Sequence, residues 1–318
     1  MKIVFLGTGD IGIPSLERLI ASPDHEILAV FTQPDKPVGR HQALTPPAVK
    51  VLAEASAIPV HQPEKLRGEE TLNLLESFDA DVFVVVAYGQ ILRTRALRAP
   101  RLACLNVHAS LLPRHRGASP IQAAIREGDS NSGVTIMFMD EGLDTGDILL
   151  TQEIALARNE TGGSLHDKLA GIAPAALLEA LELLADGTTP REPQNDSEST
   201  HCAKLTREHG RIDWSNSAVE IERTVRAYDP WPGTSTSLPS GEGKPRKLKV
   251  FPPCEVIEGE AGPEPGTILS ADGSGIVVST GEALLCLQSI QLEGKKRMDV
   301  ASFLAGNEVQ PGMKFTPA

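Results

Sequence analysis

A chain of 318 residues with 41% hydrophobic and 23% charged side chains has the composition of a soluble globular protein with room for two domains. No apolar run approaches the ~18 residues a membrane span needs, and the opening Met-Lys-Ile-Val-Phe-Leu-Gly reads as a first strand rather than a secretory leader. A net charge of −12 argues against a general nucleic-acid coat; four scattered cysteines without a Cys-x-x-Cys pair argue against a zinc site or disulfide framework and favour a reducing cytoplasm.

In chain order, residues 1–187 alternate strand and helix signals. An apolar run at 3–6 leads to a glycine turn, and a helix follows from Ile13 with Pro14 in its first turn, where a missing N–H costs nothing. Residues 25–32 predict a strand and 45–56 a helix. The run 80–89 is almost continuously apolar, the mark of a strand covered on both faces. Strands over 102–110 and 133–139 flank a helix over 119–128. From about Ser164, Leu165, Leu169, Ile172, Leu177, Leu181 and Leu184 recur at near-helical spacing until Gly187 and Pro190 stop the helix. Alternation of this kind predicts an α/β domain with a mostly parallel sheet.

Residues 188–206 are polar, contain proline and lack periodicity, so they predict a linker. Beyond it one helix over 216–228 precedes short strand-like runs at 247–253, 266–271, 275–281 and 283–292. The turns between them, Ala-Asp-Gly-Ser-Gly and Ser-Thr-Gly-Glu-Ala, are hairpin chemistry. Residues 207–318 therefore predict a smaller, OB-like β-barrel domain.

Gly7-Thr-Gly-Asp-Ile-Gly12 spells G-x-G-x-x-G between a strand and a helix, the context of a dinucleotide site, with Asp35 available as the acidic partner. The same glycines also suit a tight turn packed closely against the sheet. A more specific signal follows at 106–120, Asn-Val-His-Ala-Ser-Leu-Leu-Pro-Arg-His-Arg-Gly-Ala-Ser-Pro. Residues two apart on a strand point to one side, so Asn106 and His108 present an amide and an imidazole together. Burying both costs free energy unless each finds partners.

Asp140, Glu141, Asp144 and Asp147 crowd one loop further on. A carboxylate from it can hold His108 in one tautomer and raise its pKa. Asn, His and Asp together could stabilise an oxyanion and move protons. Ser110 lacks the strained elbow of a nucleophilic serine. A nucleophile carried by the substrate, and hence acyl-type transfer between two bound molecules, is the reading left.

The motifs Asn106-x-His108-x-Ser110-Leu111-Leu112-Pro113 and Asp144-x-Gly146 resemble those of the folate-dependent formyltransferases. The resemblance extends through Phe-Thr-Gln-Pro-Asp-Lys-Pro-Val-Gly-Arg (31–40), Gly-Arg-Ile-Asp-Trp (210–214) and Pro-Trp-Pro-Gly (230–233), from Met1 to about Lys296. It implies a Rossmann-like catalytic domain over 1–187, with 10-formyltetrahydrofolate as cosubstrate and no metal. Asn106, His108 and Asp144 would be catalytic, with Asn106 and protonated His108 on the oxyanion and Asp144 holding His108. Ser110, Leu111, Leu112 and Pro113 would shape the folate site, aided by backbone groups of 86–92 and 140–144. One departure is Arg93, where the family often has proline after Ile-Leu.

Within the family the chain is most similar to the branch that formylates the methionine α-amine of initiator methionyl-tRNA for translation initiation. The first 206 residues carry 18 Lys+Arg against 27 Asp+Glu, and the remainder 12 against 15, so neither part is basic overall. Cations do cluster locally, at Lys36 and Arg40, at 93–101, at 244–249 and at 295–297. The resemblance implies that the 33–47 insertion enters the acceptor stem, which makes Lys36 and Arg40 candidate nucleic-acid contacts and residues 207–318 a tRNA-binding domain. A monomer is expected, since tRNA must approach both domains. The alternative acceptor is an amino sugar nucleotide, which would use the same Asn106, His108 and Asp144.

Overall fold

The computed structural model describes residues 1–39, 42–240, 243–260, 262 and 264–317. In chain order its first elements are strand β1 (Lys2–Gly7), helix α1 (Ile13–Ile20), β2 (Glu26–Phe31), β3 (Lys36–Val38), β4 (Ala43–Thr45), α2 (Ala48–Ala55), β5 (Val60–His61), α3 (Glu69–Ser77), β6 (Val82–Val86), α4 (Thr94–Leu97) and β7 (Ala103–His108). Then come β8 (Arg116–Gly117), α5 (Pro120–Glu127), β9 (Asn131–Phe138), β10 (Ile148–Ala155), α6 (Gly162–Ala185) and β11 (His201–Cys202). The remainder holds α7 (Ala218–Ala227), β12 (Thr234–Ser240), β13 (Gly243–Ile257), β14 (Ile268–Asp272), β15 (Gly275–Ser279), β16 (Leu284–Leu292), β17 (Met298–Asp299), α8 (Val300–Leu304) and β18 (Thr316–Pro317).

The chain divides into two compact units. The first comprises Met1–Pro120, Asn131–Ala155 and His166–Cys202; the second comprises Ile121–Ser130, Leu156–Leu165 and Ala203–Ala318. In the first unit the sheet runs β10-β9-β7-β6-β1-β2-β5. The β5-β2-β1-β6-β7 portion is parallel, and β9 and β10 add antiparallel strands at one edge. This is the mostly parallel α/β domain that the alternating pattern predicts. Burial on both faces explains the apolar runs: Ile3, Phe5, Val82 and Val84 face one way, Val4, Leu6, Phe83 and Val85 the other, and all are 5% exposed or less. The second of these faces joins Ala29, Phe31, Leu66, Leu75 and Tyr88 in one cluster.

In the second unit the antiparallel sheet β14-β15-β16-β13-β12-β18, with β17 paired to β16, curls into a half-barrel. Its concave side is filled by Leu238, Leu248, Val250, Ile276, Val278, Leu285, Leu287 and Ile290, capped by Ile221 and Val225 of α7 and Phe303 of α8. Trp214 stacks on Phe315 with ring centroids 5.5 Å apart and donates from Nε1 to Thr236 Oγ1 at 3.0 Å, so its single polar atom is satisfied within the core. Among the described residues no helix is long and apolar enough to cross a membrane.

Residues 188–202 lie with the first unit, where β11 pairs in parallel with β8. Strands β3 and β4 pair antiparallel as a short hairpin, Lys36 opposite Thr45. Periodicity reveals neither pairing, because each strand is two or three residues long.

Since Phe83 is fully enclosed in the central strand, Phe83→Ala removes its buried surface and leaves a cavity. It is expected to destabilise the protein by ~3–5 kcal/mol, read from the midpoint shift in urea unfolding. A loss under ~1 kcal/mol would mean that this face of the sheet is not closely packed.

Candidate functional site

The glycine turn comes first, because it meets no demand for a dinucleotide. Gly7, Gly9 and Gly12 all lie against the sheet: an added Cβ would stand 2.5 Å from Phe5 Cε1, 3.1 Å from Ala87 Cβ and 3.3 Å from Val86 Cβ, respectively. Thr8 Oγ1 donates to the Tyr88 carbonyl at 3.0 Å. Asp35 is occupied by Lys50 at 3.1 Å and Gln62 at 2.7 Å, and the Gln62 hydrogen bond, then that of Lys50, holds its carboxyl below the usual range. Close packing onto the strand accounts for the glycines.

At the C-terminal end of β7 the half-buried Asn106 and the buried His108 both reach Asp144. Asn106 Nδ2 lies 3.5 Å from Asp144 Oδ1, and His108 Nδ1 lies 3.8 Å from Asp144 Oδ2. The three candidate residues therefore converge. His108 is 6% exposed, and its Nε2 lies 3.0 Å from the His115 carbonyl oxygen. A carbonyl can only accept, so Nε2 carries the ring proton and Nδ1 presents its lone pair toward Asp144.

Burial pushes the His108 pKa down, and the Asp144 carboxylate and the His115 carbonyl only partly oppose it. The carboxylate was expected to raise this pKa; desolvation is the larger cause, and the net direction is down. Asp144 itself takes a left-handed backbone conformation, φ 54°. Its Oδ2 accepts from Gly117 N at 2.8 Å.

The Ser110–Pro113 segment is tied to the core. Ser110 is fully buried, its Oγ donates to the Arg114 carbonyl at 2.7 Å, and its own carbonyl accepts from Thr135 Oγ1 at 2.7 Å. Leu112 N donates to the same Thr135 hydroxyl at 3.1 Å. Leu111 rests over Gly133, where a Cβ would fall 2.6 Å from Leu111 Cδ2. Ser110 and Leu112 thus hold the loop from within, while Leu111 and Pro113 are only partly buried. The 86–92 loop turns through Ala87 and Gly89 at φ 47° and 77°, and Gln33 Nε2 braces it through the carbonyls of Tyr88 and Gly89 at 3.2 and 3.0 Å.

Lys36 lies in the hairpin and donates to Gln33 Oε1 at 2.9 Å; Arg40 lies outside the described residues. Of the cations at 93–101, Arg95 is bound by Glu69 and Glu76 at 2.8 and 2.6 Å, and Arg101 pairs with Asp81. Those two guanidinium groups serve the first unit's own surface. Among the described residues no group of three or more His, Cys, Asp or Glu is placed to hold a metal ion.

Sequence reasoning missed the groups that hold the three residues: the His115 carbonyl, Gly117 N, Thr135 and Gln194. Gly117 carried a usable signal, a lone glycine directly after a cation. At φ 117°, with an added Cβ 2.3 Å from the Cys202 carbonyl oxygen, no other residue fits there.

In ligand-free protein, nuclear magnetic resonance should find His108 titrating below the ordinary value of about 6.5. Asp144→Asn should move the midpoint lower still, since the carboxylate is the group opposing desolvation. A midpoint above about 6.5 in the wild type would overturn the dominance of desolvation.

The family model described as formyl transferase matches residues 1–181, and that described as formyl transferase, C-terminal domain, matches residues 204–308. The chain is 45% identical to a methionyl-tRNA formyltransferase of Akkermansia muciniphila over 307 residues, 96% of this chain and 97% of that one. It is 45% identical to another of that name from Agathobacter rectalis over 316 residues, 99% of this chain and all of that one. Among solved structures, the sugar 3N-formyl transferase WlaRD, crystallised in the presence of dTDP and 5-N-formyl-THF, shares the fold with a TM-score of 0.65 at 17% identity, over 93% of this chain and 99% of that one. With both family models matched in order and two relatives aligned nearly end to end, the chain belongs to the formyl transferase family.

Proposed function

We propose that this protein transfers the formyl group of 10-formyltetrahydrofolate to the α-amine of methionine on initiator methionyl-tRNA, the step that prepares the tRNA for translation initiation. The observation that carries the chemistry is the convergence of Asn106 and His108 on Asp144, within 3.5 and 3.8 Å. The choice of acceptor is supported by 45% identity over nearly the whole chain to two methionyl-tRNA formyltransferases. In this reading the protein is a cytoplasmic monomer, residues 1–187 are the catalytic domain, 188–206 a connecting segment, and 207–318 the tRNA-binding domain.

The site fits a formyl donor. A half-buried amide and a buried imidazole are the donors and acceptors that a carbonyl carbon under attack requires, and Leu111 and Pro113, partly buried on the loop after His108, suit an apolar ring. The folate, when bound, supplies a one-carbon group open to attack by an amine. Asn106 Nδ2 donates to the formyl oxygen as it gains negative charge, an effect worth ~3–4 kcal/mol for such a donor.

His108 starts neutral, so its Nδ1 takes the proton that the amine gives up. The resulting imidazolium is stabilised from both sides, by Asp144 Oδ2 at 3.8 Å and by the His115 carbonyl at 3.0 Å, and it gives the proton from Nδ1 to the donor nitrogen as the bond between that nitrogen and the formyl carbon breaks. Desolvation therefore makes His108 a ready base, and Asp144 keeps the charged state within reach. Two bound substrates held in register supply much of the remaining acceleration.

Incubation with 10-formyltetrahydrofolate and charged initiator methionyl-tRNA should yield formyl-methionine after mild base release. Asn106→Ala should lower kcat ~100–1,000-fold, and His108→Ala should lose at least as much. Activity on an amino sugar nucleotide with none on the tRNA would replace the acceptor and keep the three residues.

The hairpin bearing Lys36 is the proposed acceptor-stem contact, together with Arg40. Lys36→Ala should raise KM for the tRNA, leave kcat nearly unchanged and reduce the slope of log affinity against log salt by about 1. An unaltered slope would remove Lys36 from the interface.

A further inference from the structure

Residues 191–202 carry no periodicity, yet they bind in succession to the two loops that hold the His108 imidazole. Arg191 lays its guanidinium over Phe138, 3.7 Å from the ring centroid, and reaches Asp147 Oδ2 at 3.9 Å. Glu192 and Ile148 exchange backbone hydrogen bonds at 3.0 and 2.9 Å. Asp196 Oδ1 accepts from Arg116 Nη2 at 2.8 Å. The Thr200 carbonyl accepts from Arg116 N and its hydroxyl from His115 N, each at 2.8 Å.

Gln194 stands where these ties cross. Its Oε1 accepts from Arg116 Nε and Nη2 at 3.0 and 2.9 Å. Its Nε2 donates to the carbonyls of Asp144 and Gly146 at 2.9 and 2.7 Å. Both ends of the carboxamide are fully used, and no other side chain of this length can accept twice and donate twice in one plane. What it holds needs holding. Asp144 is a non-glycine residue at φ 54°, a conformation that persists only when its surroundings fix it. Arg116 is 3% exposed, and a guanidinium so buried requires its acceptors.

We infer that Gln194 is a positioning residue for catalysis. Its amide nitrogen fixes the Asp144 backbone, and so the carboxylate opposite His108 Nδ1. Its amide oxygen braces Arg116, next to the His115 carbonyl that engages His108 Nε2. One side chain thereby sets the geometry on both nitrogens of the imidazole. This deepens the proposed function and rests on the reading that His108 and Asp144 form the reacting pair.

The test uses the full chain. Gln194→Met keeps the length and loses every hydrogen bond. It is expected to lower kcat ~10–100-fold, as displacements near 1 Å do, with KM for both substrates within about threefold. In an Asp144→Asn background the same change should cost less than about threefold, because Gln194 acts through Asp144. Gln194→Glu keeps an acceptor for Arg116 but lacks the donors, so it should remain impaired in kcat.

Without substrate, the imidazole nitrogen resonances of His108 should move in Gln194→Met. That readout stands even if wild-type protein formylates no tRNA, an outcome that would sink the functional reading alone. Unmoved resonances, kcat within about threefold of wild type, full activity in Gln194→Glu, or a further loss added to Asp144→Asn would each overturn the inference. If Gln194→Met fails to fold, Gln194→Glu carries the kinetic and resonance measurements.

Discussion

A buried imidazole must have something on each nitrogen, and the first unit is arranged around meeting that demand for His108. At 6% exposure water does little for it, so Nε2 is given a carbonyl at 3.0 Å and Nδ1 a carboxylate at 3.8 Å. The two partners differ in kind, and the difference matters. The carbonyl fixes the tautomer by accepting the one proton of the neutral ring. The carboxylate is too far for a direct bond, so it acts through charge and leaves the Nδ1 lone pair available. Had Asp144 stood at 2.7 Å, the ring would favour its charged form and lose its use as a base.

Each partner is then secured by backbone that tolerates few side chains. Asp144 Oδ2 needs the Gly117 N–H, and Gly117 fits only because nothing extends from its α-carbon toward the Cys202 carbonyl. Gly146, two residues past Asp144, would drive a Cβ to 1.8 Å from the Phe138 carbonyl oxygen. The loop is therefore pressed against the end of β9 on one side and tied to β8 on the other. Thr135, directly opposite His108 in the β7–β9 register, uses one hydroxyl to accept from Leu112 N and to donate to the Ser110 carbonyl. The loop that follows His108 thus starts from a fixed point.

Much of this was legible in the sequence. The alternation of apolar runs with leucine-patterned stretches predicts the parallel sheet and its helices, and the spacing of Asn106 and His108 puts them on one side of β7. Asp144 could be paired with them because the Asp-x-Gly motif was recognisable as a resemblance; nothing in periodicity selects it from Asp140, Glu141 and Asp147. What stayed hidden shares one property. The His115 carbonyl, Gly117 N–H and Gln194 amide act through backbone placement or across 48 to 78 residues, and such contacts leave no local pattern. Strand β11 and the ties at 191–200 stayed hidden within 188–206 for the same reason: a segment tied along its length and a free linker can share one polar composition.

Electrostatics shows the same division between totals and places. A chain of charge −12 is an unpromising partner for RNA when counted whole, yet the count treats every side chain as equally available. Arg95 and Arg101 are neutralised where they stand by Glu69, Glu76 and Asp81, and Arg116 is turned inward onto Gln194 and Asp196. Cations of this kind build the fold and contribute little to a field felt outside it. The surplus of carboxylates acts in the opposite sense only within about one Debye length, ~8 Å at physiological salt. An acidic protein can therefore engage a polyanion through a few local lysines and arginines, because beyond that distance the rest of its surface is screened. Binding built this way is weak on any chance stretch of RNA. In the proposed function, selection is left to the site where Asn106 and His108 converge on Asp144.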